Sequence, residues 1–209
     1  LVIHDPRPYW LEPEVRLLSR AEISFGAPSG HAQNAVVVWG TLAAYVKSGW
    51  AWLIAGLLMF FVGLSRIYLG VHFPTDVLIG WLLGAMLLIL LVRYEPAVTA
   101  FLQTFSRPVQ VGLLFALSLL LILLGWLLVA WAGTVQPLPP LWAENALLQA
   151  PDFPLTPFAL NDVILVAAAF FGITAGAVWF NARYQFDAGG PWLKRLGRYV
   201  LGVIGVIIL

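Results

Sequence analysis

Long apolar runs without a single charge dominate this sequence and restrict what it can fold into. Neither the run from Val77 to Val92 nor the run from Val109 to Ala132 holds an Asp, Glu, Lys or Arg. About 20 such residues span the hydrocarbon core of a bilayer. Within lipid, helices and closed barrels satisfy every backbone hydrogen bond, and these runs lack the two-residue alternation of barrel strands. The sequence therefore predicts an all-α, polytopic membrane helix bundle.

The composition excludes several other classes of protein. The chain is 61% hydrophobic and 10% charged, whereas a soluble domain is about 45–50% apolar and about 25% charged. This excess argues against a soluble globular domain, a disordered chain and a basic module that binds nucleic acid. There is no Cys, which excludes disulfides, thiol catalysis and Cys-based metal sites.

At least five transmembrane helices and a truncated sixth are predicted. The short turn Lys47-Ser48-Gly49 should join the first two spans as an antiparallel hairpin. A proline-rich loop over 133–160 should flank the helix bundle and carry a short interfacial helix near Trp142–Gln149. Six tryptophans fall near span ends and are expected to be interfacial aromatics, namely Trp10, Trp50, Trp52, Trp131, Trp142 and Trp192. The predicted spans are Ala32–Val46, Trp50–Leu64, Val77–Val92, Val109–Ala132 and Val163–Ala182, followed by the terminal run Tyr199–Leu209.

Three polar clusters stand out against this apolar background. Span one leaves the membrane face that holds His31, and the turn at Lys47 sends span two back to it. We therefore expect two His, one Asp and at least two Arg to meet at one end of the bundle, where ionisable groups are functional candidates. The clusters are Arg7-Pro8, Pro28-Ser29-Gly30-His31, and Ser65-Arg66 with His72 and Asp76.

Phosphoryl transfer is the chemistry that suits this set. Arg7 and Arg66 can bind non-bridging oxygens in a bidentate manner. Backbone N–H groups of Ser29, Gly30 and His31 precede a helix, which favours binding of an anion. Two His can divide the work of attacking phosphorus and protonating the leaving oxygen, and spacing alone does not say which one attacks.

Asp76 follows His72 by four residues and could orient its ring. Between them, Pro74 suits the first position of a helix, which would leave His72 just outside that helix. The spacing therefore permits the contact without dictating it.

These clusters resemble the signatures of the type 2 phosphatidic acid phosphatase superfamily, also called lipid phosphate phosphatases. Ser65-Arg66, His72 and Asp76 match the third signature, and Pro28-Ser29-Gly30-His31 matches the second in full. Arg7-Pro8 matches the end of the first, whose Lys would fall one position before Leu1. We therefore expect the chain to be a fragment of a longer protein. The resemblance covers residues 1–92, and residues 93–209 are expected to add helices without a recognised signature.

The resemblance implies a role for each matching residue. His72 would be the nucleophile that forms a phosphohistidine, Asp76 would orient it, and His31 would protonate the leaving alkoxide and then help to activate water. The family requires no metal and no cofactor. The phosphoryl group would be bound by Arg7, Ser29, Gly30 and Arg66.

Structural interpretations compete with each of these roles. The segment Pro28–His31 could be only a turn and a helix cap. His72 and Asp76 could form a structural pair at a helix start, and Arg7 could be an interfacial residue that extends towards water. We expect His4, which matches no signature, to lie on the surface. A zinc site is disfavoured, since no further His or carboxylate occurs at ligand spacing.

The distribution of basic residues predicts an orientation. Alternating spans place most Lys and Arg opposite the site, so the positive-inside rule puts the site on the extracytoplasmic face of the cell membrane. The leading hypothesis is a phosphatase that acts on a lipid phosphate or an isoprenoid pyrophosphate. Its expected partners are the lipid bilayer and the lipid phosphate substrate, and nucleic acid is not expected to bind. A phosphotransferase using an alcohol acceptor, and a non-catalytic transporter or scaffold, are the alternatives. The basic residues predicted to lie on the face opposite the site are Lys47, Arg93, Arg107, Arg183, Lys194, Arg195 and Arg198.

Overall fold

The fold is described from a computed structural model, which covers residues 5–135, 137–184 and 189–208. His4 lies outside the described residues. Within the described ranges the chain is helical and contains no strand, as the apolar runs predict. The helices are α1 (Pro8–Leu11), α2 (Gly30–Val46), α3 (Gly49–Tyr68), α4 (Pro74–Gln103), α5 (Arg107–Val135), α6 (Pro140–Gln149), α7 (Asn161–Arg183) and α8 (Trp192–Ile208).

Four of the described helices, namely α3, α4, α5 and α7, are long and apolar enough to cross a membrane. The predicted polytopic helix bundle is therefore confirmed. The first predicted span corresponds to α2, which has 17 residues and is shorter than those four. The third predicted span ends at Val92, but α4 continues through Pro96 to Gln103.

A tight turn joins α2 to α3, as predicted from Lys47-Ser48-Gly49. Lys47 closes α2 in the left-handed conformation, with φ at 54°, and its N–H donates to the carbonyl of Ala43. Ser48 then precedes α3 in an extended conformation. Because the chain reverses here, the start of α2 and the end of α3 lie at the same end of the bundle.

Small residues let α4 approach α2 closely. A Cβ atom on Gly80 would lie 2.6 Å from the carbonyl oxygen of Ser29, and one on Gly84 would lie 2.8 Å from that of Gln33. Both separations are too short for any side chain larger than hydrogen. This close contact fixes the start of α2 against the first turns of α4.

The helices α5 and α7 form a separate antiparallel pair. The Ser118 hydroxyl donates to the carbonyl of Ala167 at 2.9 Å, and Phe115 contacts Phe171 edge to face. Gly125, further along α5, faces Val163 near the start of α7. The start of α7 therefore lies at the same end as the start of α2, since residues 23–28 and 156–163 line one cavity.

A small aromatic core covers the end of the bundle that holds the three motifs. Trp10 is fully buried there and packs against Phe25 and Trp142. The expectation that Trp10 is an interfacial aromatic is therefore wrong, because α6 folds over it. The Asn145 amide on α6 donates to the carbonyl of Trp10 at 2.9 Å. The short helix expected within 133–160 thus braces the N-terminal segment beside the site.

Candidate active site

Hydrogen bonds to backbone carbonyls tie the three motifs together. The N–H of Ser29 donates to the carbonyl of Asp76 at 3.0 Å, which joins the starts of α2 and α4. The Nη1 atom of Arg7 donates to the carbonyl of Val71 at 3.0 Å, and its Nη2 atom donates to that of Phe25, also at 3.0 Å. Segments distant in sequence therefore form one compact cluster.

Arg7 is a buried cation whose donors are all directed at defined acceptors. Its Nε donates to the carbonyl of Ser24 at 2.6 Å, and its Nη2 also reaches the Ser24 hydroxyl at 3.2 Å. Its Nη1 lies 2.7 Å from Oε2 of Glu22 and 3.2 Å from Nε2 of His72. Such a set needs the five-donor fork of arginine, which lysine lacks. An interfacial Arg7 extending into water is inconsistent with these contacts.

His72 is buried between a carboxylate and a cation. Its Nδ1 lies 3.4 Å from Oδ2 of Asp76, without the geometry of a hydrogen bond. Its Nε2 faces the opposite side, where Arg7 and the Glu22 carboxylate lie. Because an arginine can only donate, Nε2 is the acceptor, and the ring proton is assigned to Nδ1, on the side of Asp76.

Asp76 caps the start of α4. Pro74 occupies the first helical position and Phe73 the N-cap, so His72 lies just outside the helix, as Pro74 predicts. The Oδ2 atom of Asp76 accepts from the N–H of Phe73 at 2.9 Å, which caps the helix and immobilises the carboxylate. The Oδ1 atom is buried without a hydrogen-bond partner among the described residues.

His31 and Arg66 complete the cluster from α2 and α3. The side chain of His31 is 58% exposed, whereas that of His72 is 2% exposed, so the two rings differ in their access to solvent. The Nη2 atom of Arg66 forms an ion pair with Oε1 of Glu22. The Nδ1 atom of His31 lies 4.0 Å from the same oxygen. Both His and both Arg therefore surround one carboxylate.

The remaining motif residues lie at the start of α2 and the end of α3. The Ser29 hydroxyl accepts from the N–H of Ala32 at 3.5 Å and so caps α2. Gly30 is exposed, and a Cβ atom placed on it would meet no atom within 4 Å. The side chain of Ser65 is exposed, and its hydroxyl donates to the carbonyl of Val62.

The surroundings shift the pKa values of three groups in and near the cluster. Burial and the positive charge of Arg66 lower the pKa of His31, although Glu22 opposes them. Burial lowers the pKa of the Arg7 guanidinium, again against the effect of Glu22. Burial and the Asp76 carboxylate raise the pKa of Asp5, which precedes the first motif.

Sequence reasoning missed Glu22. This residue lies in the irregular segment that follows α1, in which neither helical nor strand periodicity singles out a position. The available signal was an acidic residue lying between the motif that holds Arg7 and the motif that holds His31. A cluster of cations at the edge of a membrane needs a nearby anion, and Glu22 supplies it.

Comparison with known proteins defines the class. The protein-family model of the PAP2 superfamily matches residues 1–100 of this sequence. A second model, PAP2 superfamily phosphatase, transmembrane extension, matches residues 164–209, so the likeness extends beyond the signature region. The chain is an integral membrane protein, and it belongs to the PAP2 superfamily, as its motifs indicate.

Individual relatives match over part of their length. Phosphatidylglycerophosphatase B of Bacillus subtilis (strain 168) is 38% identical over 91 residues, which cover 39% of this chain and 45% of the relative. Undecaprenyl-diphosphatase of Sulfolobus acidocaldarius is 36% identical over 95 residues, covering 45% of each chain. Glucose-6-phosphatase 2 of Homo sapiens is 26% identical over 153 residues, covering 58% of this chain and 43% of the relative. The match thus spans less than half of each of these relatives. No solved structure matches the chain.

Proposed function

We propose that this protein is a membrane phosphatase that hydrolyses a lipid phosphate or an isoprenoid pyrophosphate through a phosphohistidine at His72. One observation carries the proposal: the Nε2 atom of His72 lies 3.2 Å from Nη1 of Arg7, while Nδ1 lies beside Asp76. A nucleophilic imidazole needs an unprotonated attacking nitrogen and a carboxylate behind the ring. When a phosphoryl group binds, its oxygens take the donor of Arg7, and the Nε2 lone pair becomes free to attack. Membership of the superfamily supports the same reaction class.

The first chemical step uses the lone pair on Nε2 of His72. It attacks phosphorus, and the bond between phosphorus and the oxygen of the lipid alcohol or phosphate breaks. That oxygen takes a proton from His31, whose exposed ring suits contact with a leaving group. Positive charge that develops on the His72 ring is stabilised by Asp76.

The second step returns both His to their starting states. Water attacks the phosphorus of the phosphohistidine while His31 accepts the proton of that water. The bond between nitrogen and phosphorus breaks, and inorganic phosphate leaves. Arg7 and Arg66 stabilise the negative charge on the non-bridging oxygens in both steps. Gly30 contributes the open start of α2, and Ser29 fixes that start by capping the helix.

The position of the cluster at one end of the helix bundle favours a lipid substrate. The tail can remain among the apolar helices while the headgroup reaches the cavity of about 310 Å³ bordered by His31 and Arg66. Basic residues such as Lys47 and Arg107 lie at helix ends remote from the site. By the positive-inside rule, we propose that the site faces the extracytoplasmic side of the cell membrane.

Phosphate release from a substrate panel tests this function. The purified full chain, in detergent micelles, would receive phosphatidate, phosphatidylglycerophosphate, undecaprenyl diphosphate and glucose 6-phosphate as the water-soluble comparison. We expect release from a lipid substrate, an acid-labile phosphoenzyme, and loss of both in His72→Ala. Near-normal release by His72→Ala would refute the mechanism. An added alcohol that captures the phosphoryl group would instead identify a phosphotransferase, and no release from any substrate would favour the non-catalytic alternative.

A further inference from the structure

The carboxylate of Glu22 lies where the cationic side chains of the site converge. Its Oε2 atom is 2.7 Å from Nη1 of Arg7 and 3.7 Å from Nε2 of His72. Its Oε1 atom forms an ion pair with Arg66 and is 4.0 Å from Nδ1 of His31. A single anionic group thus contacts or faces both arginines and both imidazoles.

A phosphoryl group would require the same neighbours. The proposed mechanism places its oxygens against Arg7 and Arg66 and its phosphorus against Nε2 of His72. The Oε2 atom of Glu22 lies 3.7 Å from that nitrogen. Two anions that share these donors would repel each other strongly in a partly buried site. The carboxylate and the phosphoryl group therefore exclude each other.

The surroundings of Glu22 allow the side chain to leave without unfolding the segment. Its backbone is held on both sides by Tyr9, whose hydroxyl donates to the carbonyl of Glu22 at 2.7 Å and accepts from its N–H at 3.2 Å. The side chain itself is 23% exposed. It borders the cavity of about 310 Å³ that also contacts Arg20 and Ser19. A rotation of the side chain into this space would free the cluster.

We propose that Glu22 is an internal competitor for the phosphoryl site, which every substrate must displace and which re-enters when phosphate leaves. This inference rests on the proposed function, since it takes the cluster to be the phosphoryl site. When no phosphoryl group is bound, the carboxylate neutralises the cations of the cluster. An anion can bind only while Glu22 is displaced, so its apparent affinity falls in proportion to the fraction of time for which the site is open. Inorganic phosphate, the product, is therefore bound weakly and released quickly.

Direct binding of inorganic phosphate tests the competitor. Calorimetric titration of the full chain in detergent would compare the wild type, Glu22→Gln and Glu14→Gln. The last variant removes the same charge from an exposed position of the same segment. If Glu22 holds the site for about 90–99% of the time, its loss should tighten phosphate binding about 10–100-fold, whereas Glu14→Gln should bind as the wild type does. Unchanged or weaker binding in Glu22→Gln would overturn the proposal.

A second measurement guards against instability of the variant. Glu22→Gln removes the partner of the buried Arg7, so its melting temperature is expected to fall. The decisive quantity is the rise in melting temperature that phosphate produces, which should be larger in Glu22→Gln than in the wild type. An equal or smaller rise would count against the competitor. If phosphate binding gives the negative result while lipid phosphate hydrolysis still depends on His72, this inference has failed and the proposed function stands.

Discussion

The Nη1 atom of Arg7 lies 3.2 Å from the Nε2 atom of His72, and both side chains are buried. Since the guanidinium can only donate, the lone pair of Nε2 faces Arg7 and the ring proton is assigned to Nδ1. Asp76 lies on the side of that proton. The surroundings of the His72 ring thus come from the beginning of the chain and from α4 together.

Asp76→Asn tests the negative charge behind this ring. The Oδ2 atom both accepts from the N–H of Phe73 and faces Nδ1 of His72, so a carbonyl oxygen in its place should keep the start of α4 and the ring proton on Nδ1. The variant removes the charge that would stabilise the positive charge developing on the ring during attack. We expect phosphate release to fall about 100-fold or more, with little change in melting temperature.

The matched control for that variant is Asp162→Asn. Asp162 also lies in the first turn of a long helix, but it is exposed and distant in sequence from the motifs. Its variant should retain wild-type release. Similar losses in both variants would point to a general effect of removing an acidic residue, and wild-type activity in Asp76→Asn would rule out the proposed role.

The pKa of His31 predicts a dependence on pH. Burial and Arg66 lower this pKa from about 6.5, despite the opposing effect of Glu22, while His72 and Arg7 lower it further. As the general acid, His31 must be protonated, so kcat/KM should fall as pH rises through a midpoint below about 6.5. A bound phosphoryl group favours the imidazolium, which should place the corresponding limb of kcat at higher pH.

Initial rates measured between pH 4.5 and 8.5 would check this dependence. His31→Gln should be slow and lack this alkaline limb. A limb of kcat/KM centred above pH 7 in the wild type, or one that persists in His31→Gln, would contradict the assignment of His31 as the acid.

Gly80→Ala tests the contact between α2 and α4. The added methyl group would lie 2.6 Å from the carbonyl oxygen of Ser29. Either helix must then shift, which we expect to cost about 1–3 kcal/mol and to move His31 away from His72. Both the melting temperature in detergent and the rate of phosphate release should decrease.

Gly56→Ala provides the comparison for this variant. Gly56 lies within α3, and a Cβ atom placed there meets nothing within 4 Å. We expect activity and melting temperature to stay at or slightly above wild-type values, since alanine favours a helix. If both variants behaved alike, close packing at Gly80 would not be what positions the site.

The orientation in the membrane can be tested with single cysteines, since the chain has none. Ser106 and Glu144 are exposed and lie beyond opposite ends of α5. In intact cells, a membrane-impermeant maleimide should label Glu144→Cys, while Ser106→Cys should react only after lysis. The reverse pattern would place the site on the cytoplasmic side.

Local signals in the sequence predicted the elements that depend on short stretches. Apolar runs marked the helices, and the turn at Lys47 was recognised from its residues. Pro74 indicated where α4 begins and that His72 precedes it. Helix ends that lie outside the apolar runs were harder to predict. In α4, for example, backbone hydrogen bonding continues the helix past Arg93, although the apolar run has already ended.

Features that depend on tertiary contacts could not be predicted from the sequence. The burial of Trp10 requires α6, more than a hundred residues later, to fold over it. The position of Glu22 depends on the Tyr9 hydroxyl, which fixes an otherwise irregular segment. Neither relationship has a characteristic spacing, so inspection of single segments could not reveal it.

The partners of Arg7 come from stretches that emerge at different times during synthesis. Ser24 and Phe25 follow soon after Arg7, but Val71 and His72 appear only once α2 and α3 have been made. Before then, burial of the guanidinium would leave a cation without its full set of acceptors, which is strongly unfavourable. The N-terminal segment can therefore complete the contacts of Arg7 only after residues 71 and 72 have been made, and a nascent chain stalled before residue 71 lacks part of the proposed site.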